Sequence, residues 1–330
     1  MTLSSIELSG QDIHFSQYFH NPVLINPAFT GNHNGVFRAT LNYRNQWVSI
    51  PTVGSSSPYT TYSGSFDARI LPDRIGNDKF GVGVTFFSDR AGDGALKTNS
   101  AMFSIAYHKA TDRYGRNHLT LGLQAGVVNK QIDITRLLFE EQLVDFGFDP
   151  NAFNGEVNFG GGSFTYADVN IGALWQSAAS ETFKYYIGFS LHHVATPGET
   201  FLQDATNQLA HRYIAQLGGD ITIGRYASIS PTLLYMLQQN AQQWNVGLAF
   251  NYDVNEEFYW FAGLWTRVKD AIIFGTGFDY RGFKLGISYD INISEFKGAT
   301  NSVGAIELGA VYIFRNQDTR VINERYCPRF

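Results

Sequence analysis

Strict alternation of apolar and polar side chains, in blocks of about ten residues, is the feature that most limits what this chain can become. In His118 to Val128, Leu119, Leu121, Leu123, Ala125 and Val127 share one face, while Thr120, Gly122, Gln124 and Gly126 share the other. The same pattern runs through Tyr166 to Gln176, Gln243 to Tyr252 and Phe283 to Asp290. A helix would place its apolar residues three and four apart, so a period of two is strand geometry. Composition then selects among all-β architectures. Charged residues are 16% of the chain, aromatics 15%, and glycines number 33 of 330. A soluble domain carries roughly 25% charge, so a sheet this poor in charge and rich in aromatics is predicted to face lipid rather than water. The longest nearly apolar run, Phe258 to Trp265, falls well short of the roughly 20 residues of a spanning helix.

Applied along the whole chain, the alternation predicts fourteen strands: 36–46, 59–70, 80–88, 98–109, 118–130, 166–176, 183–194, 211–222, 226–238, 242–254, 258–266, 271–280, 282–291 and 303–314. Each approaches the ~9–11 residues with which a tilted strand crosses a bilayer. Connections after odd strands are mostly long (47–58, 89–97, 131–165, 195–210, 292–302) and those after even strands mostly short. Long loops at one rim and tight turns at the other characterise transmembrane barrels, the long loops being extracellular. The predicted fold is therefore a transmembrane antiparallel β-barrel with long extracellular loops and short periplasmic turns, both of its ends lying at the periplasmic rim. Closure removes the unpaired edges that hydrocarbon would not tolerate. The polar face carries Arg38, Arg44, Asp67, Arg69, Asp168, Lys284 and Glu307, which need water or opposite charge inside the wall.

Sites for chemistry are sparse. One cysteine, Cys327, excludes an intramolecular disulfide and a zinc cluster. A net charge of −5 without a long basic run argues against nucleic acid. His192 and His193 are adjacent on a predicted strand, so they are expected on opposite faces and unable to share a metal. Ser104 with His108, and Ser190 with His193, lack an identifiable third member of a hydrolase site. Asp145, Asp149 and Glu156 are irregularly spaced for calcium. The expectation is a protein with no catalytic residues, no cofactor and no metal. Binding remains. Trp47, Arg90, Phe139, Phe146, Phe148, Phe153 and Phe201 fall in or beside predicted outer loops, as aromatic and Arg anchors of the kind that dominate interfaces. Segment 11–31 places Phe15, Tyr18, Phe19, Pro22, Pro27 and Phe29 between polar residues. It either docks at the periplasmic rim, partly plugs the lumen, or packs as a lead-in on the first turn. The tail 315–330 carries four arginines against Asp318 and Glu324, a net +2; Arg320 and Arg325 are candidate periplasmic contacts, with Phe15, Tyr18 and Phe19.

A family resemblance rests on an ordered set of motifs. These are Gln11-Asp12-Ile13-His14-Phe15-Ser16-Gln17-Tyr18, Asn21-Pro22, Asn26-Pro27-Ala28-Phe29-Thr30-Gly31 and Leu41-Asn42-Tyr43-Arg44-Asn45-Gln46-Trp47. Next come Pro58-Tyr59-Thr60-Thr61-Tyr62, Ser65-Phe66-Asp67 and Ser88-Asp89-Arg90-Ala91-Gly92-Asp93-Gly94. His211-Arg212-Tyr213, Tyr289-Asp290-Ile291-Asn292, Gly304-Ala305-Ile306-Glu307-Leu308 and Cys327-Pro328-Arg329-Phe330 complete the set. The chain resembles the PorP/SprF family of type IX secretion system outer-membrane proteins of Bacteroidetes. The resemblance implies a non-enzymatic barrel in the Gram-negative outer membrane, in contact with outer-membrane lipid. Its implied role is to bind the C-terminal domain of a secreted adhesin, anchoring it or assisting its export within the secretion and gliding machinery. The alternatives are a core component joined to periplasmic type IX lipoproteins, and a passive diffusion porin. The expected organisation is 1–10 as a signal-peptide remnant or an ordinary N-terminus, 11–34 as a periplasmic N-terminal segment, 35–314 as barrel and 315–330 as a periplasmic tail.

Overall fold

The computed structural model describes residues 12, 14–47, 59–70, 76–92, 96–133, 142–144, 147–149, 162–201, 207–298 and 300–315. Strand β1 (Phe37–Gln46) is followed by β2 (Tyr59–Ile70), β3 (Lys79–Ala91), β4 (Leu96–Ala110) and β5 (Asn117–Gln131). A two-residue hairpin, β6 (Leu143–Val144) with β7 (Gly147–Phe148), lies in the longest loop. The wall resumes with β8 (Ser163–Ala178), β9 (Phe183–His192), β10 (Arg212–Ile223), β11 (Ala227–Gln238) and β12 (Ala241–Asp253). It ends with β13 (Phe258–Arg267), β14 (Ala271–Tyr280), β15 (Phe283–Asn292) and β16 (Val303–Phe314). Fourteen of these strands form one closed barrel, each hydrogen-bonded to its sequence neighbours, and β1 meets β16 to close it. The closing seam runs antiparallel from Phe37 opposite Phe314 to Gln46 opposite Ala305.

Alternation along each strand sorts side chains between two solvents. On β5 the outward Leu121 is 64% exposed, whereas inward Thr120 and Gln124 are buried. The inversion holds around the wall: Leu41, Phe66, Phe103, Phe189, Leu248, Phe274 and Ile287 are exposed, and Thr40, Asp67, Ser104, Asn170, Asn245, Asp290 and Glu307 are buried. A soluble protein does the reverse, so the outer face is built for hydrocarbon. Rings gather near the strand ends. Phe37 stacks on Phe314, with 5.1 Å between ring centres, and Tyr43 meets Tyr62 at 5.1 Å at the opposite rim.

Two details depart from expectation. Strands β3 and β4 extend to Ala91 and from Leu96, so Arg90 lies within β3, opposite Thr60 and Lys97, not in an outer loop. Beyond the lipid band both faces of a strand are polar, so the ladder continues where alternation no longer marks it. At the end of β9, His193 adopts φ of +59°. The turn swings His193 inward, and it is buried beside His192 with ring centres 6.2 Å apart; the two do not point to opposite faces.

Because Leu123 sits at the centre of the outward band 119–127, Leu123→Arg is expected to cost about 2–4 kcal/mol. Leu123→Phe should be nearly neutral. Reversible unfolding in denaturant from liposomes measures both.

Candidate functional site

The lumen is occupied by the chain's own N-terminal segment. Just before β1, Val36 donates to the Phe314 carbonyl at 2.8 Å, at the rim carrying the short turns. From there, traced backwards, the segment runs the length of the barrel. Gly31 N donates to Asp67 at 2.7 Å, and the Asp67 carboxylate also takes two bonds of 2.9 Å from the Arg38 guanidinium. The carbonyl of Thr30 lies 2.8 Å from His108 Nε2, so that nitrogen donates and Nδ1 accepts from Thr120 at 2.9 Å. At mid-depth Asn26 donates to the carbonyls of Ala173 and Phe189, both at 3.2 Å. His192 and Ser190 donate to the Ile25 carbonyl at 2.9 and 2.7 Å.

Three short turns shape this segment: a 3-10 turn at Tyr18–His20, helix α1 at Pro22–Ile25, and a second 3-10 turn at Pro27–Phe29. Pro22 and Pro27 each open a turn, where a missing N–H leaves no bond unmade. Its apolar side chains pack against the few apolar residues of the inner wall. Tyr18 and Ile25 meet Ile214, Leu234 and Met236, and Val23, Ala28 and Phe29 meet Leu174 and Tyr186. Wall glycines admit the backbone. A Cβ on Gly122 would lie 2.4 Å from Ala28 N, and one on Gly309 would lie 2.2 Å from the His20 ring.

Towards the long-loop rim the segment is held by charge. Ser16 N and Gln17 N donate to the two oxygens of Glu307 at 2.7 and 2.8 Å. Arg44 pairs with Glu307 and lies 3.3 Å from Asp290, which also receives Arg267 at 3.0 Å. The Ser16 hydroxyl donates to Asp290 at 2.6 Å, inside this cluster. Higher still, the His193 ring bridges Asp168 at 2.8 Å and Asp12 at 2.5 Å, with Arg212 3.7 Å from Asp12. From Asp12 near the long-loop rim to Val36 at the short-turn rim, the described part of the segment thus runs through the chain's own barrel.

Sequence-predicted residues divide accordingly. Phe15 and Tyr18 are buried inside the lumen, and Phe19 stacks on Trp265 there with 5.2 Å between ring centres. Of the placements the sequence leaves open for this segment, the periplasmic rim, a partial lumen plug or a lead-in on the first turn, the structure shows the lumen: all three residues lie within the wall. Ser104 and His108 likewise face the segment, not lipid, and Ser190 lies 3.4 Å from His192, not His193. Trp47 packs edge-on against Tyr59 at 4.9 Å, and Phe201 against Phe164 at 4.7 Å, both at the long-loop rim. Phe148 belongs to the small hairpin. Phe139, Phe146, Phe153, Arg320, Arg325, Asp145 and Glu156 lie outside the described residues. Among the described residues no cluster of His, Cys, Asp and Glu has the arrangement of a metal site. Asp12, Arg267 and Asp290 are lumen groups that alternation alone does not single out, since their partners are distant in sequence.

A family model for the type IX secretion system membrane protein PorP/SprF matches residues 7–312. The chain belongs to the PorP/SprF family. No curated protein matches it. Among solved structures, this PorP/SprF chain is similar to the toluene transporter TodX of P. putida, at 10% identity and TM-score 0.48, covering 88% of this chain and 93% of that one. A Pseudomonas aeruginosa FadL homologue matches at 10% identity and TM-score 0.47, with the same shares of 88% and 93%. The KdgM porin matches at 7% identity and TM-score 0.41, covering 84% of this chain and 99% of that one.

Removing one partner of a buried ion pair leaves an uncompensated charge. Arg44→Met should therefore destabilise the barrel by about 3–5 kcal/mol in denaturant unfolding. A pH effect is expected at His193, which lies just beyond β9. Burial lowers the affinity of its ring for a proton, but the bonds to Asp12 and Asp168 more than offset this and push its pKa up to about 9. An unfolded imidazole titrates near ~6.5. The stabilisation is thus fully present below that pH and lost as pH rises through about 9. Hydrogen exchange at residues 14–17 should accelerate across that range, and the step should vanish in H193Q.

Proposed function

We propose that this PorP/SprF protein is a non-enzymatic barrel of the outer membrane of a Gram-negative, Bacteroidetes-type cell. In this reading it serves type IX secretion by binding, at its long-loop rim, the C-terminal domain of an exported surface adhesin. The long-loop rim faces outward, as in transmembrane barrels generally, and the protein holds the adhesin or assists its export there. The observation that carries this reading is the filled lumen. A passive porin needs a continuous aqueous path, whereas here residues 14–31 occupy the interior and bond to strands all round the wall. A barrel stoppered by its own chain offers its rims for work, not its bore.

The two rims differ in what they present. At the long-loop rim stand Trp47, Phe164 and Phe201, with the connection 132–162 between β5 and β8. Aromatic anchors in a broad loop surface suit a folded protein domain. The short-turn rim is narrower in its connections, such as 224–226 and 281–282, and would face the periplasm. A role as a core component would place periplasmic lipoproteins there.

Deletion of 134–163 is expected to release adhesin into the medium while the barrel still folds. Folding is read by heat-dependent mobility in gels, and adhesin by comparing cell-surface and medium fractions. Adhesin retained on cells carrying the folded deletion variant would refute the proposal. Affinity capture from solubilised outer membrane distinguishes the alternatives: a large surface protein supports the adhesin role, and periplasmic lipoproteins alone support the core role.

A further inference from the structure

The wall does not end level at the long-loop rim. Strand β8 pairs with β5 along nearly its whole length, from Ser163 opposite Gln131 to Ser177 opposite Asn117. On its other side it pairs with β9 only from Ile171, opposite Leu191, to Ala178. The cause lies at the end of β9. His193, with φ of +59°, gives its N–H to the Asn170 side chain at 3.1 Å, and Val194 N makes the last backbone bond, to the Val169 carbonyl at 2.9 Å. Beyond that point the chain leaves the ladder. Glu199 pairs with Lys130, and Phe201 meets the Phe164 ring. Phe164 shares its face of β8 with the buried, inward Asp168 and Asn170, so the loop leans across the mouth and not along the strand.

Ser163–Val169 therefore stands above β9 as an open strand edge, roughly 20 Å long at ~3.3 Å per residue. Alternate residues of a strand direct their N–H and C=O groups to the same side. Val169 turns its carbonyl to the β9 side, so Ser163, Thr165 and Ala167 turn theirs the same way, and no backbone group among the described residues meets them there. Their side chains are exposed. Natural sheets blunt such edges with Lys, Pro or a bulge. Ser163–Val169 contains no Lys, Arg or Pro, and it pairs with β5 without a register shift.

We propose that this edge takes an extended segment of an exported polypeptide as an added strand. Main-chain bonds hold the segment, and alternate side chains set its preference. On the inner side it lies beside Phe164 and Tyr166, whose rings stack at 6.1 Å, where β-branched or aromatic residues pair well. The position of the edge decides the occupant. Its free side faces the space directly above β9 and β10 of the same ring, β10 beginning at Arg212 opposite His192. The wall of a second barrel alongside stands level with β9 and does not reach over it, whereas a strand arriving from above the rim does. The inference rests on the reading that an exported polypeptide is met at this rim, and adds how it is held.

The test uses the full nitrogen-labelled chain refolded in nanodiscs, with the peptide acetyl-Lys-Val-Thr-Val-Thr-Val-Thr-Lys-amide as probe. Saturable binding should slow hydrogen exchange at the Thr165 and Ala167 amides and leave that of Tyr166, already bonded to β5, unchanged. Only alternate N–H groups of the peptide face β8. Of two peptides, one N-methylated at its valines and the other at its threonines, one should keep its binding and the other lose it. Ala167→Pro removes one donor of the edge and none of the β5 ladder. It should weaken binding about fivefold, the equivalent of one hydrogen bond, while the barrel keeps its heat-dependent gel mobility. No binding, equal effects of the two methylations, or unchanged affinity in folded Ala167→Pro would overturn the proposal. So would slow exchange at Thr165 and Ala167 before peptide is added, because the chain itself or a second copy would then cover the edge. The assay contains no adhesin, so its outcome is separate from that of the loop deletion that tests the adhesin reading.

Discussion

A wall that faces hydrocarbon must satisfy every polar group within its own circumference, and that constraint organises this molecule. The backbone meets it by closing fourteen strands into a ring. The side chains meet it by turning inward, where they can be satisfied by water or partner groups. The N-terminal segment supplies many of them. Glu307 takes two backbone N–H groups from Ser16 and Gln17 besides Arg44, and Asp67 takes Gly31 besides Arg38. Pairing, burial and the path of the segment are thus linked: the Glu307 and Asp67 carboxylates take backbone N–H groups from the segment in addition to their arginine partners.

The barrel itself was legible because lipid and lumen are different solvents, and a period of two records which residue meets which. Leu119, Leu121 and Leu123 against Thr120, Gly122 and Gln124 state the choice residue by residue. The ordered segment was not legible in the same way. Its apolar and polar residues follow no single period, since it touches opposite walls in turn through short proline-started turns. Traces of it were nevertheless present. Leu174, Ile214, Leu234 and Ile273 are apolar on an otherwise polar face, and they mark the patches where the segment or its neighbours pack. The glycine excess has a similar source in part, because Gly122 and Gly309 stand where backbone or ring comes too close for a Cβ. Arg90 and His193 were misplaced for a related reason: at strand ends the solvent is the same on both faces, and a single residue with positive φ redirects a side chain without any compositional mark.

In this PorP/SprF barrel the N-terminal segment occupies the bore. The segment joins the two rims, clasped by His193 and Asp12 at one and by Arg38 and Asp67 at the other. The two clasps sit on different arcs of the ring, β8 to β10 and β1 to β2, and between them the segment also bonds to β4, β15 and β16.

Planar-bilayer conductance of the intact chain tests the central claim most directly. A lumen threaded by residues 14–31 predicts insertion without a steady open-pore current. A large, sustained ohmic current from the folded, unmodified barrel would show that the bore is open and that the segment does not fill it.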